Sequence, residues 1–166
     1  MIRIGILGDI GSGKSYVAKE FGYPVFNADL EVGKLYKKNK TIYKKLNKRL
    51  PEHIHSFPID KKEISDAILT NKNNLKKIVE VVHQEIRKNL NIFLKKNKNK
   101  KLVILDIPLL LENKINDKKD ILIFVQSNKN DIYKRLKKRN NFNLKLLNLF
   151  KSIQYSLSYK KKKSKF

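Results

Sequence analysis

The chain has 166 residues and a mass of 19.5 kDa, with 40% apolar residues, enough for one packed domain and short for two. It has no cysteine, no apolar run of about 18 residues and no early basic-then-apolar leader pattern, which disfavours disulfide-framework, membrane-spanning and secreted classes; a reducing, cytoplasmic setting is expected. The formal charge of +24 comes from 39 basic residues, only five of them arginine and the lysines spread over nearly every polar segment, so it reads as compositional bias and neither a specific nucleic acid nor a membrane is expected as partner.

Ile2–Leu7 is a short buried-strand pattern, and it runs into Gly8-Asp-Ile-Gly-Ser-Gly-Lys-Ser15, a complete Walker A sequence. Glycines at 8, 11 and 13 allow positive φ and let successive amides face an anion, Lys14 reaches terminal phosphate oxygens, and the Ser15 hydroxyl suits Mg²⁺. A helix over Ser15–Phe21 would direct its N-terminal dipole at the same anion. All six glycines lie at or before Gly33, so no second phosphate loop of this kind follows.

Pro24–Asn27 reads as the second strand, delivering Asp29 to the same end of the sheet as the phosphate loop. A carboxylate there suits orientation and deprotonation of a hydroxyl; Asp before Leu30-Glu31-Val32 equally suits an N-cap. From Glu31 to Asn71 the chain is polar and broken by Pro51 and Pro58, the pattern of short helices in an insertion spanning about 30–94. Within it, His53 and His55 lack an evident third ligand for zinc. Apolar residues spaced by threes and fours predict a helix over Asn74–Leu94, which carries His83 beside its stripe, followed by an exposed basic turn at Lys95–Lys101.

Leu102–Leu105 is the third strand, ending in Asp106 in the manner of a Walker B acid; contact with Mg²⁺ through water and capping of the next turn are both open to it. Pro108 fixes the exit, and Leu109 to Leu111 suit a pocket wall. Ile121–Val125 is the fourth strand. The Asn128-Lys-Asn-Asp131 that follows matches a guanine-reading pattern, but without an Asp-x-x-Gly switch it reads as a chance match. Arg135 and Arg139 stand four apart on one expected helix face, placed either to clamp a triphosphate or to face solvent. Lys160–Lys165 reads as a frayed basic tail. Strands alternating with helices imply an α/β fold with a parallel sheet and ligands at the C-terminal strand ends.

Gly11-Ser-Gly-Lys-Ser15, Val25-Phe-Asn-Ala-Asp29, Ile59-Asp60, Val81-Val-His83, Leu105-Asp-Ile-Pro-Leu-Leu-Leu-Glu112, Arg135, Arg139 and Gln154, in this order, resemble the dephospho-coenzyme A kinase family. The resemblance implies a three-layer P-loop fold of the nucleoside monophosphate kinase type, one domain over 1–166 with a substrate-binding insertion, a lid at about 128–150 and a basic tail at 160–166. It implies transfer of the γ-phosphoryl of ATP to the ribose 3′-hydroxyl of dephospho-CoA, the last step to coenzyme A. In that reading Asp29, Lys14 and Arg135 are catalytic. Gly11, Ser12, Gly13, Lys14, Ser15, Tyr16, Arg135 and Arg139 bind ATP, and Asp29, His83, Pro108 and Leu109 border the acceptor. Mg²⁺ is implied on Ser15, with Asp106 reaching it through water. The chain departs from the family pattern at Asp9, Tyr16, Lys61 and Gln84, and a final edge strand is expected to be missing. A shortened P-loop protein that binds ATP or coenzyme A without catalysis, and a sibling nucleotide kinase, are the competing readings.

Overall fold

Ile2–Gly8, Val25–Asn27, Leu102–Asp106 and Ile121–Val125 form strands β1 to β4, each an apolar run of the kind that is buried between covering layers. The helices are α1 (Lys14–Glu20), α2 (Ala28–Lys38), α3 (Lys40–Arg49), α4 (Lys61–Thr70), α5 (Lys72–Lys96), α6 (Lys129–Lys137), α7 (Leu144–Ser152) and α8 (Leu157–Lys163). This computed structural model describes residues 1–139 and 142–166. They form two compact units, one of Met1–Ala28 with Phe93–Phe166 and one of Asp29–Ile92, the boundaries falling at the start of α2 and inside α5.

In the first unit the four strands make one parallel sheet in the order β2-β3-β1-β4. The register pairs Gly8 with Val125 and Asn27 with Asp106, so all four strands end along one edge. Parallel strands need crossovers, and α1 supplies the first, packing on β1, β2 and β3, while α8 packs on β1 and β4. Ile4, Ile6, Ala18 and Ile104 form the centre of this core, with Phe21, Val25, Leu102, Ile121, Ile123 and Val125 around them. Each fully buried isoleucine contributes roughly 1.5–3 kcal/mol of transfer free energy.

The end of the chain differs from the frayed tail expected at Lys160–Lys165. Residues 157–163 are helical, and Lys165 N donates to Leu122 O (2.8 Å) while Phe166 O accepts from Phe124 N (2.7 Å), covering part of the β4 edge. Lys160 is buried, its Nζ 3.0 Å from Glu112 Oε1 and donating to Gln154 Oε1 (2.8 Å). The same carboxylate oxygen accepts from Tyr155 N (2.8 Å), which ties the loop after β3 to the start of α8. A lysine run looks uniformly solvated in sequence; docking of one helix face buries one member and leaves its neighbours exposed. Truncation of one partner of a buried pair leaves the other charge uncompensated, so Lys160→Ala is expected to cost about 3–5 kcal/mol, read as a lowered denaturation midpoint. An unchanged midpoint would show the pair to be dispensable.

In the second unit, Asn39 caps α3 by accepting from Ile42 N (3.0 Å), and Asp60 caps α4 by accepting from Lys62 N (2.9 Å). α3 stops before Pro51, as the restriction on the residue preceding proline requires. Between α3 and α4, Ile54 O accepts from Asn47 Nδ2 and Tyr36 O from Ile59 N, so the irregular segment is bonded to flanking helices. The predicted stripe of α5 buries Ile78, Val82, Ile86 and Leu90, together with Val81 and with Asn74, whose amide donates to Ala67 O (2.9 Å). Among the described residues no helix is long and apolar enough to cross a membrane.

Candidate functional site

At the carboxyl end of β1 the chain turns through three glycines with left-handed φ, 147° at Gly8, 85° at Gly11 and 95° at Gly13. A Cβ at Gly8 would stand 2.5 Å from Val125 O, which excludes it on space as well as conformation, and one at Gly11 would crowd Leu136 Cγ at 3.0 Å in addition to the strain of its φ. Gly13 is the N-cap of α1, and Lys14 and Ser15 open that helix. Lys14 Nζ donates to Gly8 O (3.2 Å) and Asp9 O (2.6 Å), which holds the ammonium across the turn. Ser12 is buried in the turn, its N–H donating to Asp9 O, while Ser15 is exposed at the helix start. The Tyr16 ring is 70% exposed and its N–H donates to Gly13 O (3.0 Å), so that amide serves the first helical turn.

Asp9, an acid within a phosphate-type loop, is engaged on both carboxylate oxygens. Oδ1 accepts from Ile10 N (2.7 Å) and Oδ2 lies 3.8 Å from Lys151 Nζ on α7. The amide and the cation together offset its charge.

α6 lies directly against the loop, because Ile132 and Leu136 are buried over Gly11. That packing carries Arg135 to the turn, where Nη1 donates to Ser12 O (3.2 Å) and to Ser127 Oγ (3.1 Å) and approaches Gly11 O at 3.5 Å. Arg139 does not share its helix face, contrary to the spacing argument. α6 ends at Lys137, Lys138 is the C-cap, and Arg139 N closes a tight turn onto Leu136 O (3.1 Å), leaving the side chain exposed. The physical reason is the helix stop: a spacing of four shares a face only within a continuous helix, and α6 has ended before position 139. Asn128 is the N-cap of α6 and accepts from Asp131 N (2.9 Å), so the guanine-like tetrapeptide is a helix start.

Asp106 ends β3 and is buried, its Oδ2 accepting from Asn27 Nδ2 at the end of β2. Two adjacent parallel strands thus present a carboxylate and an amide at the edge where the phosphate turn begins. Pro108 is exposed, and Leu109 adopts φ 58°, a left-handed conformation that costs a non-glycine residue about 1–2 kcal/mol. Leu110 beside it is buried, so of the three leucines only this one is a core residue; Leu109 and Leu111 are half-buried.

Asp29 and His83 belong to the helical unit. Asp29 is neither the end of a strand nor an N-cap: β2 stops at Asn27, α2 starts at Ala28, and Asp29 is an acid in its first turn, where the helix dipole favours a negative charge. His83 is half-buried on α5, and burial pushes its imidazole below the ordinary histidine value, with Arg87 adding a second, electrostatic push in that direction. Among the described residues no three His, Cys, Asp or Glu side chains are grouped closely enough to hold a metal ion.

Ser127 and Lys151 are residues of this region that the sequence reading does not single out, and Asn27 enters it only as part of the Val25–Asp29 segment, without a role of its own. Ser127 and Lys151 carry no local signal, being a serine after a strand and one lysine among many; Asn27 becomes meaningful only once β2 and β3 are paired.

Residues 2–166 match the family model described as dephospho-CoA kinase. The chain is 38% identical to a dephospho-CoA kinase of the Wolbachia strain from Brugia malayi, over 98% of this chain and 86% of that protein. It is 31% identical to a dephospho-CoA kinase of Rickettsia felis, over 100% of this chain and 86% of that protein. The crystal structure of TT1252 from Thermus thermophilus superposes with a TM-score of 0.75 at 26% identity, covering 98% of this chain and 85% of that one.

Proposed function

The chain belongs to the dephospho-CoA kinase family, and from that premise we propose which residues transfer the γ-phosphoryl of ATP to the ribose 3′-hydroxyl of dephospho-CoA. The observation that carries the reading is the turn at residues 8–14, in which left-handed glycines, a helix N-terminus and the Lys14 ammonium converge on a space suited to phosphate. Lys14 exchanges the Gly8 and Asp9 carbonyls for β- and γ-phosphate oxygens, Gly11 to Tyr16 surround the β-phosphate, and Arg135 and Arg139 neutralise charge from the segment at about 128–150, which acts as the lid. Residues of about 30–94 form the acceptor-binding insertion; Asp29, just before it, orients the hydroxyl and takes its proton, and His83, Pro108 and Leu109 are read as acceptor-binding residues. The hydroxyl oxygen bonds to the γ-phosphorus, the bond between that phosphorus and the bridging oxygen breaks, and ADP leaves with the electron pair.

The donors fit Mg²⁺, a hard cation that keeps most of its water and takes few protein ligands: the Ser15 hydroxyl at the start of α1 and the buried Asp106 carboxylate, acting through water. When bound it supplies neutralisation of the phosphate oxygens. We read the high lysine content as compositional, with no specific nucleic acid as partner, and the setting as cytoplasmic. The test is coupled ADP release with ATP, Mg²⁺ and dephospho-CoA against adenosine, nucleoside monophosphates and pantothenate. Selective turnover of dephospho-CoA is expected. Preference for a nucleoside monophosphate would make the chain a sibling kinase, and binding without release a silent P-loop protein.

A further inference from the structure

Arg135 reaches the phosphate turn with one nitrogen. Nη1 makes all of its hydrogen bonds among the described residues, to Ser12 O, to Ser127 Oγ and, at the limit of length, to Gly11 O. Nη2 and Nε make none there. A guanidinium has five N–H donors in a rigid plane, so anchoring one nitrogen orients the donors on the others. The anchor is a closed ring of three groups. Ser127 has one hydroxyl proton, which it donates to Ser12 O (2.8 Å), and its lone pairs accept from Arg135; Arg135 in turn donates to the same Ser12 carbonyl. Ser127 lies two residues beyond β4 and one before the Asn128 cap of α6, so its backbone is held from both sides. The Arg135 side chain, by contrast, is long and exposed, and without a second acceptor it has many rotamers to choose from.

We propose that Ser127 is a positioning residue for phosphoryl transfer: its hydroxyl fixes Arg135 on the Ser12 carbonyl, leaving the Nη2 and Nε donors of that guanidinium for the oxygens of the nucleotide triphosphate. The inference rests on the kinase reading and deepens it. Ser127 touches no substrate and acts through Arg135 alone.

The test is a double-mutant cycle on ADP release and on equilibrium affinity for a fluorescent ATP analogue. Ser127→Ala is expected to lower kcat/KM for ATP about fivefold, the size of one net hydrogen bond, with an unchanged thermal midpoint, and Ser127→Thr to restore most of the loss. In an Arg135→Ala background Ser127→Ala should cost much less than it does in the wild type, since only its own bond to the Ser12 carbonyl is then left to lose. A loss of equal size in both backgrounds, a loss that follows a lowered midpoint, or an unaffected Ser127→Ala enzyme would each overturn the proposal. Inactivity of the wild-type chain toward dephospho-CoA would sink the kinase reading itself, while the affinity arm would still read the coupling of Ser127 to Arg135.

Discussion

Lys14→Ala is expected to abolish ADP release, lowering turnover by about a thousandfold or more, with ATP affinity falling as well. The ammonium bonds to the carbonyls of Gly8 and Asp9, the two residues that open the turn, so it bridges the loop from its far side. Phosphoryl transfer asks little covalent chemistry of the protein and much charge neutralisation, and Lys14 is the cation built into the turn itself. Arg135 reaches the turn from α6 and is anchored on Ser12 and Ser127, a different position from that of the Lys14 ammonium on Gly8 and Asp9. Steady-state ADP release measures the loss. Circular dichroism and a melting curve separate it from unfolding, because the glycines and the buried Ser12 that shape the turn are untouched. Turnover within tenfold of wild type would remove Lys14 from the reaction.

Asp29→Asn is expected to lower kcat by about a hundredfold or more while leaving ATP affinity nearly unchanged. Binding and turnover are read separately, since a proton acceptor acts on the transfer step and the nucleotide is held by the phosphate turn. Asparagine keeps the shape and a hydrogen-bonding oxygen but cannot accept the hydroxyl proton. The competing role is electrostatic: an acid in the first turn of α2 gains about 0.3–1 kcal/mol from the helix dipole, and its loss would lower the melting midpoint slightly with no change in kcat. Titration of kcat against ATP and dephospho-CoA, with a melting curve beside it, distinguishes the two. Full turnover in the variant would assign Asp29 to the helix alone.

The phosphate turn is legible from sequence because its determinants are local. Left-handed φ is cheap only for glycine, and three glycines spaced over six residues between an apolar run and a helix start leave the backbone few alternatives. Three of the four strands are legible for a related reason, since apolar runs of five to seven residues have nowhere to go but a covered sheet. Arg139 shows the limit of periodicity: a spacing of four predicts a shared face only if the helix lasts, and α6 stops two residues short of it. Asp29 shows another, because strand end, N-cap and first helical turn differ by one or two residues, a distance that local patterns do not resolve.

The sequence by itself determined the chemistry available: a phosphate-shaped turn, one lysine in it, acids after the second and third strands, and arginine at two points in a chain that otherwise uses lysine. Only the tertiary structure decided the partners. The order β2-β3-β1-β4 brings Asn27 to Asp106 across 79 positions of sequence, α6 packing brings Arg135 and Ser127 to Ser12, and docking of α8 selects Lys160 for Glu112. The reason is that conformational preference is a property of a few adjacent residues, whereas a hydrogen bond between distant residues exists only after packing has placed its two ends together, and nothing in either local segment specifies the other.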